Sequence, residues 1–142
     1  MDRAFAEARA AAARGEVPVG AVVVRDGRVL AAAGNRVEEL ADPTAHAEML
    51  AIRSAAASVG EKLLEGADLY VTLEPCPMCA AAASLARLRR VYFGAYDPKG
   101  GGVEHGARVF DHATCHHRPE IIGGLREGEA ASLLREFFRA RR

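Results

Sequence analysis

The chain of 142 residues has no run approaching the ~20 uninterrupted apolar residues that a membrane-spanning helix requires. Its opening Met1-Asp2-Arg3 leads into charged residues rather than an apolar export signal, so a cytoplasmic protein with no membrane partner is the expectation. It lacks net charge, with 19 basic and 19 acidic side chains, which excludes a protein that coats itself with nucleic acid. It has only three cysteines, an odd number, which argues against a disulfide framework and toward metal or nucleophile chemistry. Repeats and linkers are absent as well. Lysine is scarce, two residues against 17 arginines, while alanine occurs 30 times; both read as codon-usage bias without functional weight. What is present, 50% apolar and 27% charged residues, is ordinary globular composition. One domain over residues 1–142 with one core is expected.

Periodicity gives the order of elements. Residues 2–14 read as a helix with Phe5, Ala8 and Ala12 on one stripe, ended by Gly15. Val19 to Val24 and Arg28 to Ala33 read as strands of a hairpin joined at Asp26-Gly27. Asp42-Pro43-Thr44 reads as a helix start, with the helix running from Ala45 to Val59 and closed by Gly60. Short buried strands are expected at Leu69 to Leu73, Val91 to Ala95 and Glu120 to Ile122, and helices at Pro77 to Leu88 and Glu127 to Arg141. The glycine-, histidine- and proline-bearing segment from Asp97 to Arg118 has no clear period and is long enough to suspect of function. This order fits a three-layer α/β/α sandwich around a mixed sheet of five strands.

Two segments carry chemistry, His46-Ala47-Glu48 and Pro75-Cys76-Pro77-Met78-Cys79, each at the start of a helix. Cys76 and Cys79, three apart on a first turn, put both sulfurs on one side, where helix-terminal amides favour thiolates. Two thiolates and the His46 imidazole would give zinc three protein ligands and leave the fourth position open, as in a catalytic site. Glu48 is a poor fourth ligand, because residues two apart on a helix point roughly 200° away from each other. It suits a proton carrier. A CxxC pair also occurs as half of a structural zinc knuckle or as a redox dithiol, although the redox reading leaves His46 and Glu48 unused.

The HAE segment followed about thirty residues later by PCxxC resembles the zinc-dependent cytidine and deoxycytidylate deaminase superfamily. More narrowly, Asn35-Arg36, Asp42 to Met49, Leu69 to Cys79 and the closing Leu133-Leu134 with Phe137-Phe138-Arg139 are similar to bacterial tRNA-specific adenosine deaminases over nearly the whole chain. The resemblance implies a cytidine deaminase-like α/β/α fold, a homodimer, and conversion of adenosine to inosine at the wobble position of a tRNA anticodon. It implies that His46, Cys76 and Cys79 hold one zinc per chain and that Glu48 is the general acid/base. Asn35 would contact base and sugar, and Pro18-Val19-Gly20 with the backbone at Ala47 and Glu74 would line the pocket. Asp97 and Lys99 would lie near the RNA backbone. This chain departs from common relatives at Cys115-His116-His117, where many carry an Asn-His pair, and at Gly100-Gly101-Gly102, which reads as a lengthened flexible run.

Partner contacts follow from charge. Residues 1–83 carry 8 basic and 12 acidic groups, residues 84–142 carry 11 and 7. Leu133, Leu134, Phe137 and Phe138 form a core-facing stripe, while Arg135, Arg139 and Arg142 lie on another face that can meet phosphates of an anticodon stem-loop or simply solvent. Lys99 and Arg141 are further phosphate candidates. Met78, Ala81, Ala82 and Leu85 are candidates for a two-fold interface between copies. Rival functions are a deaminase of a free base or nucleoside (guanine, cytosine or cytidine), and a zinc-stapled binding module without catalysis. Ala80-Ala81 after the second cysteine argues against free cytidine deaminases, which often carry Arg-Gln there; guanine deaminases share a similar PCPMC. The intact Glu48 argues against the module. A second metal site at His112, Cys115, His116 and His117 is disfavoured, since loop histidines without a carboxylate are commonly surface or turn residues.

Overall fold

The computed structural model describes residues 1–141. Asp2–Ala13 forms α1, Gly20–Arg25 and Arg28–Gly34 form the hairpin β1 and β2, Val37–Leu40 a single turn α2, and Ala47–Val59 helix α3. Asp68–Leu73 (β3), Pro77–Leu85 (α4), Arg90–Ala95 (β4), Glu120–Ile122 (β5) and Glu127–Arg139 (α5) complete the chain, with a 3-10 turn at Val109–Asp111. The strands form one mixed sheet in the order β2-β1-β3-β4-β5. β1 runs antiparallel to both its neighbours, and β3, β4 and β5 run parallel.

Register explains the layers. Ala21 pairs with Val71, and Val71 with Phe93, so Ala21, Val23, Leu69, Val71, Val91 and Phe93 share one core. Ala47, Ala51 and Ala55 of α3 and Ala80 and Ala83 of α4 pack into that core. α1 covers β1 and β2 and α5 covers β4, which yields the three-layer α/β/α sandwich around five strands. Ion pairs from Arg9 to Glu129 and from Arg126 to Asp2 tie α1 to α5 across the surface. Among the described residues, no helix is long and apolar enough to cross a membrane.

Alanine has a role here that composition does not reveal. Ala4, Ala8 and Ala11 are fully buried on α1, and a methyl group built on Gly20 would fall 1.9 Å from the Ala4 carbonyl oxygen and 2.6 Å from the Ala8 nitrogen. Helix and strand approach to backbone contact, which larger side chains would forbid.

Apart from one-residue shifts at the ends of α1 and the strands, the elements differ from the sequence reading in four places. α3 starts at Ala47, not Ala45, because Asp42 turns back on Thr44: its Oδ1 accepts from the Thr44 N–H at 2.8 Å and from Thr44 Oγ1 at 2.7 Å, closing a turn ahead of the helix. α4 stops at Leu85 rather than Leu88, because Arg87 adopts a left-handed conformation (φ 60°) that swings Leu88 into the core. α5 stops at Arg139 instead of Arg141, and α2 has no counterpart in the sequence pattern.

Leu73 pairs with Ala95 at the ends of β3 and β4, and Gly34 ends β2 opposite Gly20. Asn35, the Glu74 to Cys76 turn and Asp97 therefore leave the sheet along one edge. Gly20→Ala should lower stability by about 3 kcal/mol, since its new methyl meets backbone that cannot rotate away, and drop the thermal midpoint by roughly 10 °C. Thermal denaturation followed by circular dichroism checks this; an unchanged midpoint would contradict the close packing of α1 on β1.

Candidate active site

Both chemistry-bearing segments sit at helix starts for a reason of backbone geometry. His46 is the N-cap of α3 and Cys76 the N-cap of α4, both with extended backbone, and neither side chain caps its own helix. Pro77 occupies the first position of α4, where a missing N–H costs nothing. The freed side chains point at one another. His46 Nδ1 lies 3.5 Å from Cys76 Sγ and 3.5 Å from Cys79 Sγ, and all three donor atoms fall within 4.8 Å of each other.

This donor set fits zinc. Bonds of about 2.0 Å to nitrogen and about 2.3 Å to sulfur at a tetrahedral angle place N and S roughly 3.5 Å apart, the separation found here. The sulfur chemistry agrees. The Cys79 thiol hydrogen-bonds Cys76 and, against burial and with help from His46, pulls the Cys76 pKa down to about 4. The same bond, burial and the nearby Glu48 push the Cys79 thiol up. Pairing with Cys76 raises the His46 pKa against the effect of burial, with Glu48 adding to it. A divalent cation would take the place of the protons that these donors hold.

Glu48 falls outside that three-donor cluster, although its carboxyl is close enough to hydrogen-bond the Cys79 thiol, and it lines the same cavity, an open-mouthed space of about 590 Å³. It is buried, and burial pushes its carboxyl up to about 7. Asn35 supplies the cap that His46 does not: its Oδ1 accepts from the Ala47 N–H at 2.7 Å, which fixes the amide group with its NH2 end unpaired by any described residue. Val19, Asn35, Glu74 and Asp97 line the cavity with His46, Glu48 and Cys76, whereas Ala47 and Cys79 lie behind it, both fully buried.

Residues 1–95 match the family described as the cytidine and deoxycytidylate deaminase zinc-binding region. The chain belongs to this deaminase family. It is 60% identical over 142 residues to the tRNA-specific adenosine deaminase of Agrobacterium fabrum, covering all of this chain and 93% of that one. A solved structure from biochemical and structural studies of A-to-I editing by tRNA:A34 deaminases at the wobble position of transfer RNA superposes with a TM-score of 0.93 at 60% identity, covering 94% of this chain and 97% of that chain. The guanine deaminase of Bacillus subtilis superposes with a TM-score of 0.65 at 42% identity, covering 67% of this chain and 61% of that chain.

The deaminase uses Glu74 in a way the sequence does not disclose. Its backbone N–H donates to the Ala95 carbonyl, and its side chain is wholly buried. The carboxylate accepts from the N–H groups of Asp97, Val103, Glu104 and His105 and lies 2.8 Å from His105 Nδ1. Burial alone would push this carboxyl up, but the Asp97 amide, the His105 ring and the Glu104 and His105 amides together hold it below the ordinary glutamate value. Within the glycine run, Gly101 and Gly102 are buried and closely packed, while Gly100 is exposed. A methyl on Gly101 would meet Glu74 Oε2 at 2.5 Å, one on Gly102 would meet the Pro77 nitrogen at 2.5 Å, and the Gly102 N–H donates to the Pro75 carbonyl at 2.8 Å.

Of the basic and aromatic candidates, Arg141 reaches the cavity, its guanidinium 3.5 Å above the centroid of the Phe137 ring. Phe137 is buried and also lines the cavity, while Phe138 of the expected core stripe is 50% exposed. Phe138 faces a groove shared with Lys99, Arg135, Arg139 and Arg141. Arg142 lies outside the described residues. The histidine segment is occupied locally: His117 Nε2 lies 2.6 Å from the Leu88 carbonyl, His112 Nε2 2.6 Å from that of Ala107, and Cys115 Sγ 3.2 Å from that of His117. Among the described residues the only metal-competent cluster is His46, Cys76 and Cys79.

The purified deaminase should contain one zinc per chain. Cys76→Ala and Cys79→Ala should each abolish it, whereas Glu48→Gln should retain it, because Glu48 is no ligand. Elemental analysis decides; loss of zinc from Glu48→Gln would make Glu48 part of the coordination shell.

Proposed function

We propose that residues 1–142 form one zinc-dependent deaminase domain that converts adenosine to inosine at the wobble position of a tRNA anticodon. Full-length similarity to the Agrobacterium fabrum enzyme supports the reaction. The observation that carries the RNA reading is the continuity of cavity and basic groove through Arg141, which lines both. A free base needs no such extension. An RNA loop does, because one extruded base supplies little affinity and phosphate contacts supply the rest.

Bound zinc supplies a nucleophile from water at neutral pH. His46, Cys76 and Cys79 would hold it beside the cavity that His46 and Cys76 line. Glu48, with a carboxyl near 7, is matched to carry protons in both directions at neutral pH. It would take a proton from the attacking water, give it to N1 of the adenine ring, and relay a second to the departing amine. Adenosine and water thus become inosine and ammonia, and the carboxylate is regenerated. Asn35, with Oδ1 committed to Ala47, would present its NH2 as a donor to base or sugar, and Val19 would pack beside it. Asp97 would border the nucleotide, and Lys99 and Arg139 would meet the flanking phosphates. The same placement among cytosolic tRNAs would make the protein cytoplasmic.

The homodimer belongs to this proposal. Leu85, 77% exposed, projects from α4 beside an apolar hollow lined by Ala81, Val109 and Cys115. Burying that face against a second copy would satisfy it in the isologous manner of a two-fold interface.

Glu48→Gln should keep the fold and lose roughly 10³-fold or more in turnover of an anticodon stem-loop, as removal of a proton carrier does. Inosine formation, resolved by chromatography of nuclease digests, measures it; faster turnover of free guanine or cytidine than of the stem-loop would overturn the RNA reading in favour of the guanine deaminase likeness. Neutralising Lys99 and Arg139 together should flatten the dependence of log binding constant on log salt by roughly one unit for each phosphate that is no longer neutralised. Light scattering should give about twice the 15.1 kDa chain mass, reduced to the monomer by Leu85→Asp; a monomeric wild type contradicts the dimer.

A further inference from the structure

Two carboxylates in the cavity take no part in the proton transfers assigned to Glu48. Glu16 and Glu74 are each 2% exposed, and both line the cavity. A buried carboxylate is costly unless its oxygens are fully hydrogen-bonded. Both are bonded chiefly to backbone. Glu16 accepts from the N–H groups of Glu38 at 3.1 Å and Glu39 at 2.8 Å. Those are the second and third positions of α2, whose own N-cap, Arg36, provides no side-chain bond. Glu16 therefore caps a helix that begins 21 residues later in the chain.

Its delivery is built into α1. Gly15 takes a left-handed conformation (φ 86°), its N–H donates to the Ala12 carbonyl at 3.0 Å, and the Glu16 N–H donates to the Ala11 carbonyl at 2.9 Å. This reversal ends the helix and directs the next side chain into the cavity wall. Glu74 does the same for the other wall by gathering four amides between Asp97 and His105. The walls flank the cysteine turn: α2 follows β2, the Asp97 segment follows β4, and three strand spacings separate them, about 14 Å.

We propose that Glu16 and Glu74 are positioning residues that hold the two walls of the substrate cavity, Val37 and Glu38 on one side, Asp97 and Gly100 on the other. Neither touches the reacting atoms. Each acts through the backbone it binds, so its loss loosens substrate fit while the metal ligands, carried by α3 and α4, stay in place. The activity readout rests on the deaminase reading above; the backbone readout does not.

The test uses full-length Glu16→Gln and Glu74→Gln, which keep side-chain volume but remove the charge and replace one acceptor oxygen with a donor. Amide hydrogen exchange should accelerate about tenfold or more at Glu38 and Glu39 in the first variant, and at Asp97, Val103, Glu104 and His105 in the second, as expected for losing hydrogen bonds to a charged acceptor. The other wall should keep wild-type exchange in each. KM for an anticodon stem-loop should rise about tenfold, with kcat changed less than threefold and zinc content unchanged, and Glu16→Asp should fail to rescue because it is one methylene short. Should Glu74→Gln not fold, Glu74→Asp carries that arm, since it keeps the charge but withdraws the carboxylate by one methylene from the four amides. Wild-type exchange and KM in both variants overturn the proposal, as does a fall in kcat at constant KM or uniform acceleration across the sheet. A wild-type protein that leaves the stem-loop unmodified overturns the deaminase reading instead, with exchange at the six amides still judging the walls.

Discussion

A side chain turned toward the start of a neighbouring helix cannot cap its own, and this structure begins two helices on such residues. His46 and Cys76 give up the capping role at α3 and α4, so the positive ends of both helices converge on one point without local acceptors. That convergence favours thiolate sulfur at Cys76. It also leaves backbone donors to be satisfied from elsewhere. Asn35 takes the Ala47 N–H, and Pro77 removes one donor outright. Asn35 is then both the cap of α3 and a wall of the cavity, so the fold and the binding surface share a side chain.

Bringing two helix ends to one sheet edge requires the helices to lie low on the sheet, and this accounts for the alanines. Ala47, Ala51, Ala55, Ala80 and Ala83 are all fully buried beneath α3 and α4, with Ala4, Ala8 and Ala11 under α1. Composition alone attributes them to codon usage. Buried small side chains let the helices lie close on the sheet, at whose edge both sulfurs sit 3.5 Å from His46 Nδ1. Bulkier residues would fill the same apolar role while lifting the helices away from the site.

The legible parts of the fold are those decided locally. Asp26-Gly27 between two β-branched runs specifies a hairpin, and the ligand motifs announce themselves because each is confined to a few residues at a helix start. The illegible parts depend on distant partners. α2 is one turn with no cap of its own, held by Glu16 from across the chain, so no local pattern could reveal it. Glu74 binds main-chain amides 23 to 31 residues onward, and amides carry no sequence signature. Asp42 misleads in the opposite sense: it is a competent cap, but Thr44 captures it first.

The two glutamates Glu48 and Glu74 show how one residue type acquires opposite proton behaviour within a single cavity. Both are buried, and burial pushes both carboxyls up. Glu74 is surrounded by four backbone donors and a histidine ring, which outweigh burial and keep it ionised as a fixed structural charge. Glu48, at the start of α3, has only its own amide and the Cys79 thiol as donors, which burial outweighs, pushing its carboxyl up to about 7. A carboxyl can exchange protons at neutral pH only if its surroundings withhold donors that would pin it as an anion. The folding of Asp97 to His105 around Glu74 rather than Glu48 therefore separates the two roles. The amides between Asp97 and His105 go to the glutamate held as an anion, and none of them is bonded to Glu48.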